Sequence, residues 1–515
     1  MKRFFLIFIL MAVLILGACV FSTRGPEKVG LIPLDSRPCN TLYPQLLGNM
    51  LNKDIVIPFE SLDNYLTPGD TANLWQWLEN NAGNLDTIII FTNEIFNGGL
   101  IASRHESSYQ NLEQDLTGLK AFCLNNKSKN IIVVSILPRL LPSQFSELWE
   151  YEKELVNYAK AIDRQAKQGK ETPPPPSDIP ADILKKYLSI YDNTDILVKS
   201  VIAMSDEGLV DHYLIGQDDA QEYGLSNKIV REITPLLNEK VQFVHGADEL
   251  TMLTLVRSAA PKLKDGINVK YINEALKTEY FPYEAATLET VLKAKLDYLQ
   301  VHLAAASPYV EIVYNDSNKL AGLKDFLRQN NHEYLGLMDV AFTNKGDTGI
   351  LDMLSDNPGI KLDHINGYAG WNTAGNTIGT ELAHLVAYNY LEKNIKKYKQ
   401  PDKIKALESF IKFKYLRIAE DLIYQGILRD KLIERLREEK IDPYFLGEHK
   451  EYAEHILADL YQPYEAQLNN LFAGNHHIGE ITFTVDKVQS RIELPWSRTF
   501  EARIIPEVTV LWGEE

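Results

Sequence analysis

Short apolar runs recur along this chain, each closed by polar residues and followed by a longer stretch with helical spacing. The first, Val29 to Leu34, ends in Asp35-Ser36-Arg37-Pro38-Cys39-Asn40. Ile55 to Ile57, Thr87 to Phe91 and Ile131 to Ile136 repeat the form. These runs are β-branched and too short for helices. Continuous apolar runs with helices between them predict strands buried on both faces of a parallel sheet. Between Leu141 and Asp206 the alternation breaks, and two helical patterns flank Thr172-Pro173-Pro174-Pro175-Pro176, a run that suits neither a helix nor a central strand. This segment, 141–206, reads as an inserted helical hairpin, either a lid or wall over a site or plain surface decoration. Alternation resumes with Tyr213 to Ile215, Val241 to Val244, Val269 to Ile272, Tyr309 to Tyr314, Tyr334 to Met338 and Leu362 to Tyr368.

About ten strand-helix units result, against the eight of a closed barrel. The expected fold is therefore α/β, with two facing doubly wound parallel-sheet lobes and a decorated TIM-like barrel as the alternative. The first lobe is expected over residues 28–240 and the second over 241–400. Lys403 to Phe472 reads as charged helices and Ile478 to Trp512 alternates apolar with polar residues, so 401–515 should be a helical segment with a small β appendage.

Composition adds exclusions. A formal net charge of −17, with no Lys/Arg-rich tract, argues against nucleic acid or an anionic membrane surface as a partner. At the start of the chain, Lys2 and Arg3 precede an apolar run, Phe4 to Leu16, closed by Leu16-Gly17-Ala18-Cys19. The run is too short to span a bilayer comfortably. It resembles a bacterial lipoprotein signal, residues 1–19, with Cys19 the residue to be acylated, which implies an extracytoplasmic protein anchored to the membrane by lipid. The pairing of Cys39 and Cys123 cannot be read from their spacing. No zinc-binding pattern occurs among the eleven histidines, so neither a metal nor a cofactor is expected.

Polar motifs fall at the predicted strand ends, where α/β sheets and barrels hold their ligands. The most informative is Val210 to Gly224, in which the apolar run stops at Gly216 and the adjacent acids Asp218 and Asp219 follow. Asp219-Ala220-Gln221-Glu222 also matches a capping box, and Asp248 with Glu249 suits a helix start. Asp35 and Arg37 follow the first strand, Arg104 closes Gly98-Gly99-Leu100-Ile101-Ala102-Ser103-Arg104 after the third, and Asp339 ends a later one. Gly370-Trp371-Asn372-Thr373 offers an indole and an amide that could stack on and grip a sugar, or a buried Trp beside a capping Asn. Gly375-Asn376-Thr377-Ile378-Gly379 suits close helix packing better than a phosphate cradle.

The runs IPLDSRPCN, GGLIASR, GQDDAQEYG, GADE, YAGWNTAGNTIGT and LPWSRTFE together resemble the bacterial family known as domain of unknown function 4127, over nearly all of the mature chain. The resemblance supplies no reaction. It raises Asp35, Arg37, Arg104, Asp218, Asp219, Asp248, Glu249, Asp339, Trp371 and Asn372 together as site candidates, with Asn376 in the same motif. Where the family pattern has an aromatic residue before Gly98-Gly99, this chain has Asn97.

Paired carboxylates without a metal point first to a glycoside hydrolase, with Asp218, Asp219 and Asp35 as catalytic candidates and the other residues binding a saccharide or small molecule. Adjacent acids resemble the pair that assists attack by a substrate's own N-acetyl group, one orienting the acetamide and the next donating the proton. The first alternative is a lipid-tethered protein that binds carbohydrate or cell-wall fragments. The second is a metal-dependent hydrolase with Asp35, Asp218, Asp219 and Asp339 around a hard cation. Cys39 as a nucleophile ranks last, since no histidine lies near it in sequence. Oligomeric state is not legible.

Overall fold

The computed structural model describes residues 25–512 apart from 106, 261, 330–333, 357–359 and 361. The expected signal segment and Cys19 lie outside the described residues. Among the described residues no helix is long and apolar enough to cross a membrane.

Six strands form one parallel sheet: β1 (Glu27–Ile32), β2 (Lys53–Val56), β3 (Thr87–Phe91), β4 (Asn130–Leu137), β5 (His212–Gln217) and β6 (Val241–His245). Their order is β2-β1-β3-β4-β5-β6, so the chain reverses direction across the sheet between β1 and β3. A second parallel sheet holds β7 (Asn268–Tyr271), β8 (Tyr309–Tyr314), β9 (Tyr334–Asp339) and β10 (Gly367–Ala369), in the order β10-β9-β8-β7. The ten expected strand-helix units are present, in two open sheets rather than a closed barrel. Two details differ from the sequence expectation. β6 hydrogen-bonds to β5, so the sheet boundary falls after β6 and not at residue 240. The strand-order reversal that defines double winding belongs to the first sheet, whereas the second runs in simple sequence.

Central strands explain the uninterrupted apolar runs. β3, β8 and β9 are buried at every position, because helices or other strands cover both faces. Alternate side chains of the first sheet enter different cores. Val29, Leu31, Ile89, Phe91, Ile132 and Val134 point to one side, where a single apolar cluster continues through the second sheet and the C-terminal segment. Ile32, Ile88, Ile90, Ile131 and Val133 point to the other side, against Leu74, Leu119, Leu155 and Leu197 of the covering helices. Each fully buried Leu, Ile or Val contributes about 1.5–3 kcal/mol, so both faces are firmly held.

The 141–206 segment divides: Leu141, Ser143, Gln144 and Phe145 at its start line a cavity at the strand ends, and the rest packs on the first sheet. Its helices, Glu152–Lys167 and Ala181–Asp206, form an enlarged crossover from β4 to β5 and bury apolar faces against the first sheet and helix Leu225–Ile233. The predicted strand over 362–368 is shorter than expected: Leu362–His364 is a 3-10 turn and Gly367–Ala369 alone pairs.

At the C-terminal end, helix Gln400–Arg417 runs without a break into a π-helical stretch, Ile418–Leu428, and on into helix Arg429–Glu438. The wider turn presents Asp421 to the end of β10, where its Oδ2 accepts the Gly370 N–H at 2.8 Å. Such stretches are frequent at functional sites. The expected small β unit is an antiparallel sheet of β11 (Gly474–Ile478), β12 (Ile481–Glu493) and β13 (Arg503–Leu511). The β12–β13 connection returns to the strand ends of the first sheet, where the Trp496 Nε1–H donates to Ser36 Oγ at 2.8 Å.

Candidate active site

A cavity of about 310 Å³ opens where the carboxyl ends of the two sheets meet. In open α/β sheets this edge, at the reversal of strand order, is where ligands bind. From the first sheet it is lined by Arg37 after β1, Arg104 after β3, Arg139 after β4, Asp218 and Asp219 after β5, and Asp248 after β6. The second sheet supplies Tyr283 and Glu284 after β7, Asn344 after β9, and Asn372 and Asn376 after β10. Trp496, Arg498 and Phe500 close it from the β12–β13 connection.

Arg37 is fixed on both sides. Its Nε and Nη2 donate to Asp35 Oδ2 at 3.0 and 2.6 Å, while Nη1 and Nη2 donate to Asp248 Oδ2 and Oδ1 at 3.1 and 2.5 Å. Burial works against its charge, yet Asp248 and Asp35 hold its pKa well above the usual value. The guanidinium also stands 5.1 Å from the Trp496 ring, which Arg498 approaches at 4.6 Å. Asp35, expected to be catalytic, is fully buried and does not line the cavity. Its oxygens accept from Arg37 and from Asn40 Nδ2 at 2.9 Å, which makes it a positioning residue.

The adjacent acids differ in their bonding. Asp218 is ion-paired with Arg104 Nη2. Asp219, beside it, accepts no side-chain hydrogen bond from a described residue. Burial first, and Asp218 second, push its carboxyl up to about 6, against the pull of Arg104 and Arg139. β5 ends at Gln217, so both side chains reach the same cavity although neighbours within a strand point to opposite faces. The capping reading fails for both acid motifs. The helix after Asp219 starts at Leu225 and is preceded by Gly224, and the helix after Asp248 has no side-chain cap.

Other candidates lie away from the cavity. Glu249 is fully buried in an ion pair with Lys295 at 2.6 Å and accepts the Ala247 N–H at 3.2 Å. Asp339 accepts the Asp347 N–H at 2.6 Å and the Tyr368 O–H at 2.9 Å, and burial pushes it up to about 7. Asp35, Asp218, Asp219 and Asp339 therefore do not form one cluster, and among the described residues no group of three or more acids, histidines and cysteines could hold a metal ion. Trp371 is buried behind the cavity, with its ring 6.4 Å from that of Phe500, and offers no face to a sugar. Asn372, in contrast, lines the cavity and donates to Asp248 Oδ2 at 3.0 Å. Asn376 also lines it, and its Oδ1 has no partner among the described residues. Cys39 and Cys123 are free and buried, and burial raises the Cys39 thiol well above its ordinary pKa.

Sequence reasoning missed Arg139, Glu284, Trp496 and Arg498. Arg139 follows Leu137-Pro138 at a strand end, so the rule that found Asp218 applied to it too. Trp496 and Arg498 lie in the LPWSRTFE motif, inside a segment read as an appendage. Glu284 had no signal. Its Oε1 accepts the Gly375 N–H at 2.6 Å at the start of helix Ala374–Asn394, and burial pushes it up to about 7 despite Lys295 and that bond.

The family model described as "Protein of unknown function (DUF4127)" matches residues 29–505, from β1 into β13. No curated protein matches the chain.

Proposed function

We propose that this chain, which belongs to the DUF4127 family, is an extracytoplasmic, lipid-anchored glycoside hydrolase working through Asp218 and Asp219. The observation that carries the reading is the different setting of two neighbouring carboxyls on one cavity wall. Asp218 is tied to a guanidinium, while the Asp219 carboxyl accepts no hydrogen bond from a described residue and is raised to about 6. Carboxyls whose surroundings push them apart in this way suit opposite roles in glycosidic bond cleavage. Asp219 donates its proton to the leaving oxygen as the bond to the anomeric carbon breaks. The 2-acetamido oxygen of the same sugar attacks that carbon, and Asp218 accepts the amide N–H and balances the positive charge on the ring that forms. Water then opens this ring, with Asp219 taking its proton. Glu284 faces them from the second sheet, raised to about 7 and so able, in its protonated form below that pH, to donate to a sugar hydroxyl. Aromatic side chains around the opening, including the exposed Phe145, Tyr283 and Tyr444, suit sugar faces.

The test is hydrolysis of aryl N-acetylhexosaminides and related glycosides by the wild type, Asp218→Asn and Asp219→Asn. Each substitution is expected to lower kcat by about 10²–10⁴-fold with the fold intact. Unchanged turnover in both would remove the mechanism. Tight saccharide binding without product would instead make the protein a tethered carbohydrate receptor.

A further inference from the structure

Four guanidinium groups line the cavity, and they are not equally committed. Arg37 is held by Asp35 and Asp248. Arg498 makes two bonds to Glu501, at 3.0 and 2.7 Å. Among the described residues Arg104 has one ion pair, with Asp218, and its buried Nε has no partner. Arg139 forms no ion pair with a described residue. Its Nε and Nη2 donate to the carbonyls of Leu141 and Pro142 at 3.1 and 3.2 Å, and its Nη1 donates to no described residue.

We propose that the ligand of this cavity carries an anionic substituent, received by Arg139 with Arg104 beside it. The choice of an acidic saccharide as carrier rests on the glycoside reading above; the anion itself follows from the arginines. Arg139 is half-buried, and a guanidinium that has lost part of its hydration without gaining a carboxylate is costly unless something else supplies the charge. Burial, and then the nearness of Arg104, push Arg139 down to about 10, so the attraction of Asp218 and Asp219 does not compensate it. The side chain is nevertheless held in place. Tyr191 O–H donates to the Arg139 carbonyl at 2.8 Å and Tyr187 O–H to the Leu140 carbonyl at 2.8 Å, so the loop is fixed from behind by helix Ala181–Asp206. Two donors of Arg139 are used on its own loop, which leaves Nη1 for a ligand. A planar guanidinium matches a carboxylate, and a phosphate or sulfate ester offers the same charge-assisted bonds. Asp219 opposes such an anion when ionised and ceases to when it holds the proton that the acid role requires.

The experiment is calorimetric titration of the full chain with D-glucuronate, D-glucose 6-phosphate and D-glucose at pH 5.5, in wild type, Arg139→Gln and Arg139→Lys. Wild type is expected to bind at least one of the acidic sugars about tenfold or more tighter than glucose, and which one identifies the anion. The gap should close in Arg139→Gln and survive in part in Arg139→Lys. Equal affinity for acidic and neutral sugars in wild type, no binding of any of the three, or a full gap in a folded Arg139→Gln would overturn the proposal. The wild-type comparison decides even if the variants fail to fold. Selective acidic-sugar binding without hydrolysis of any glycoside leaves the anion subsite standing and removes the hydrolase reading. Hydrolysis of acidic and neutral glycosides at equal rates in both wild type and Arg139→Gln does the reverse.

Discussion

Asp248 joins the two sheets through one carboxylate. It receives Arg37 from the end of β1 and Asn372 from the end of β10, and burial raises its pKa against the pull of Arg37. Asp248→Ala leaves Arg37 buried with Asp35 alone, and urea unfolding should register a loss of about 3 kcal/mol. Arg37→Ala in the same background should add less than it does in wild type, because the two share one interaction. At Asp219 the expectation concerns pH. The acid role needs the proton, so kcat/KM should be high below about 6 and fall as pH rises through that value. A pH–rate profile without an alkaline limb near 6 would take the acid role away from Asp219. At this scale the sequence was informative about which residues cluster and silent about which of them face the cavity. Asp35, Glu249 and Asp339 sit at strand ends as surely as Asp218 does. Yet the first two are claimed by a buried arginine and a buried lysine, and Asp339 by backbone N–H groups.

Among elements, the start of helix Ala374–Asn394 does the most for the site. Thr373 caps it, accepting the Asn376 N–H at 3.4 Å, and Gly375 lets the Glu284 carboxylate reach its free N–H groups. A Cβ on Gly375 would lie 2.8 Å from Glu284 Oε1. Gly375→Ala should therefore displace Glu284 and raise KM for a turned-over glycoside about tenfold. Thermal stability should change little, because alanine favours a helix by about 1 kcal/mol over glycine. A marked loss of stability with unchanged KM would show that this glycine serves packing only. The G-x-x-x-G spacing signalled close approach, and Gly379 does pack on Glu249. What approaches Gly375 comes from the loop after β7, far away in sequence, so periodicity along the helix held no sign of it. Likewise the helical pattern after Gln400 did not reveal the π-helical stretch, at which Arg417 binds Glu420 and Asp421 while Asp421 also holds Gly370.

For the whole molecule, the core that starts on one face of the first sheet continues into the second sheet and the C-terminal segment. Residues 25–260 expressed alone would expose the apolar face that includes Val29, Leu31, Ile89 and Phe91. We expect no cooperative thermal transition from that fragment, as read by near-UV circular dichroism. Several buried carboxyls also tie stability to pH. Burial raises Glu284, Asp339 and Asp421 each to about 7, whereas in the unfolded chain they ionise near 4. Between those values the folded state binds more protons, so stability is greatest at the acidic end of the window and falls as pH rises to about 7. The thermal midpoint should be about 5 °C higher at pH 5.5 than at pH 8, and a rise over the same interval would contradict the buried protonated state. Short continuous apolar runs, each closed by polar residues and followed by a helical pattern, determined the strands, the parallel sheets and the strand ends at which chemistry gathers, because those follow from local spacing and from burial on both faces. Which strand ends share one cavity, which acids are already bonded behind it, and that a C-terminal loop closes it were decided by tertiary structure alone, since they depend on how loops fold and on contacts such as Arg37 with Asp248 and Ser36 with Trp496, between residues far apart in the chain.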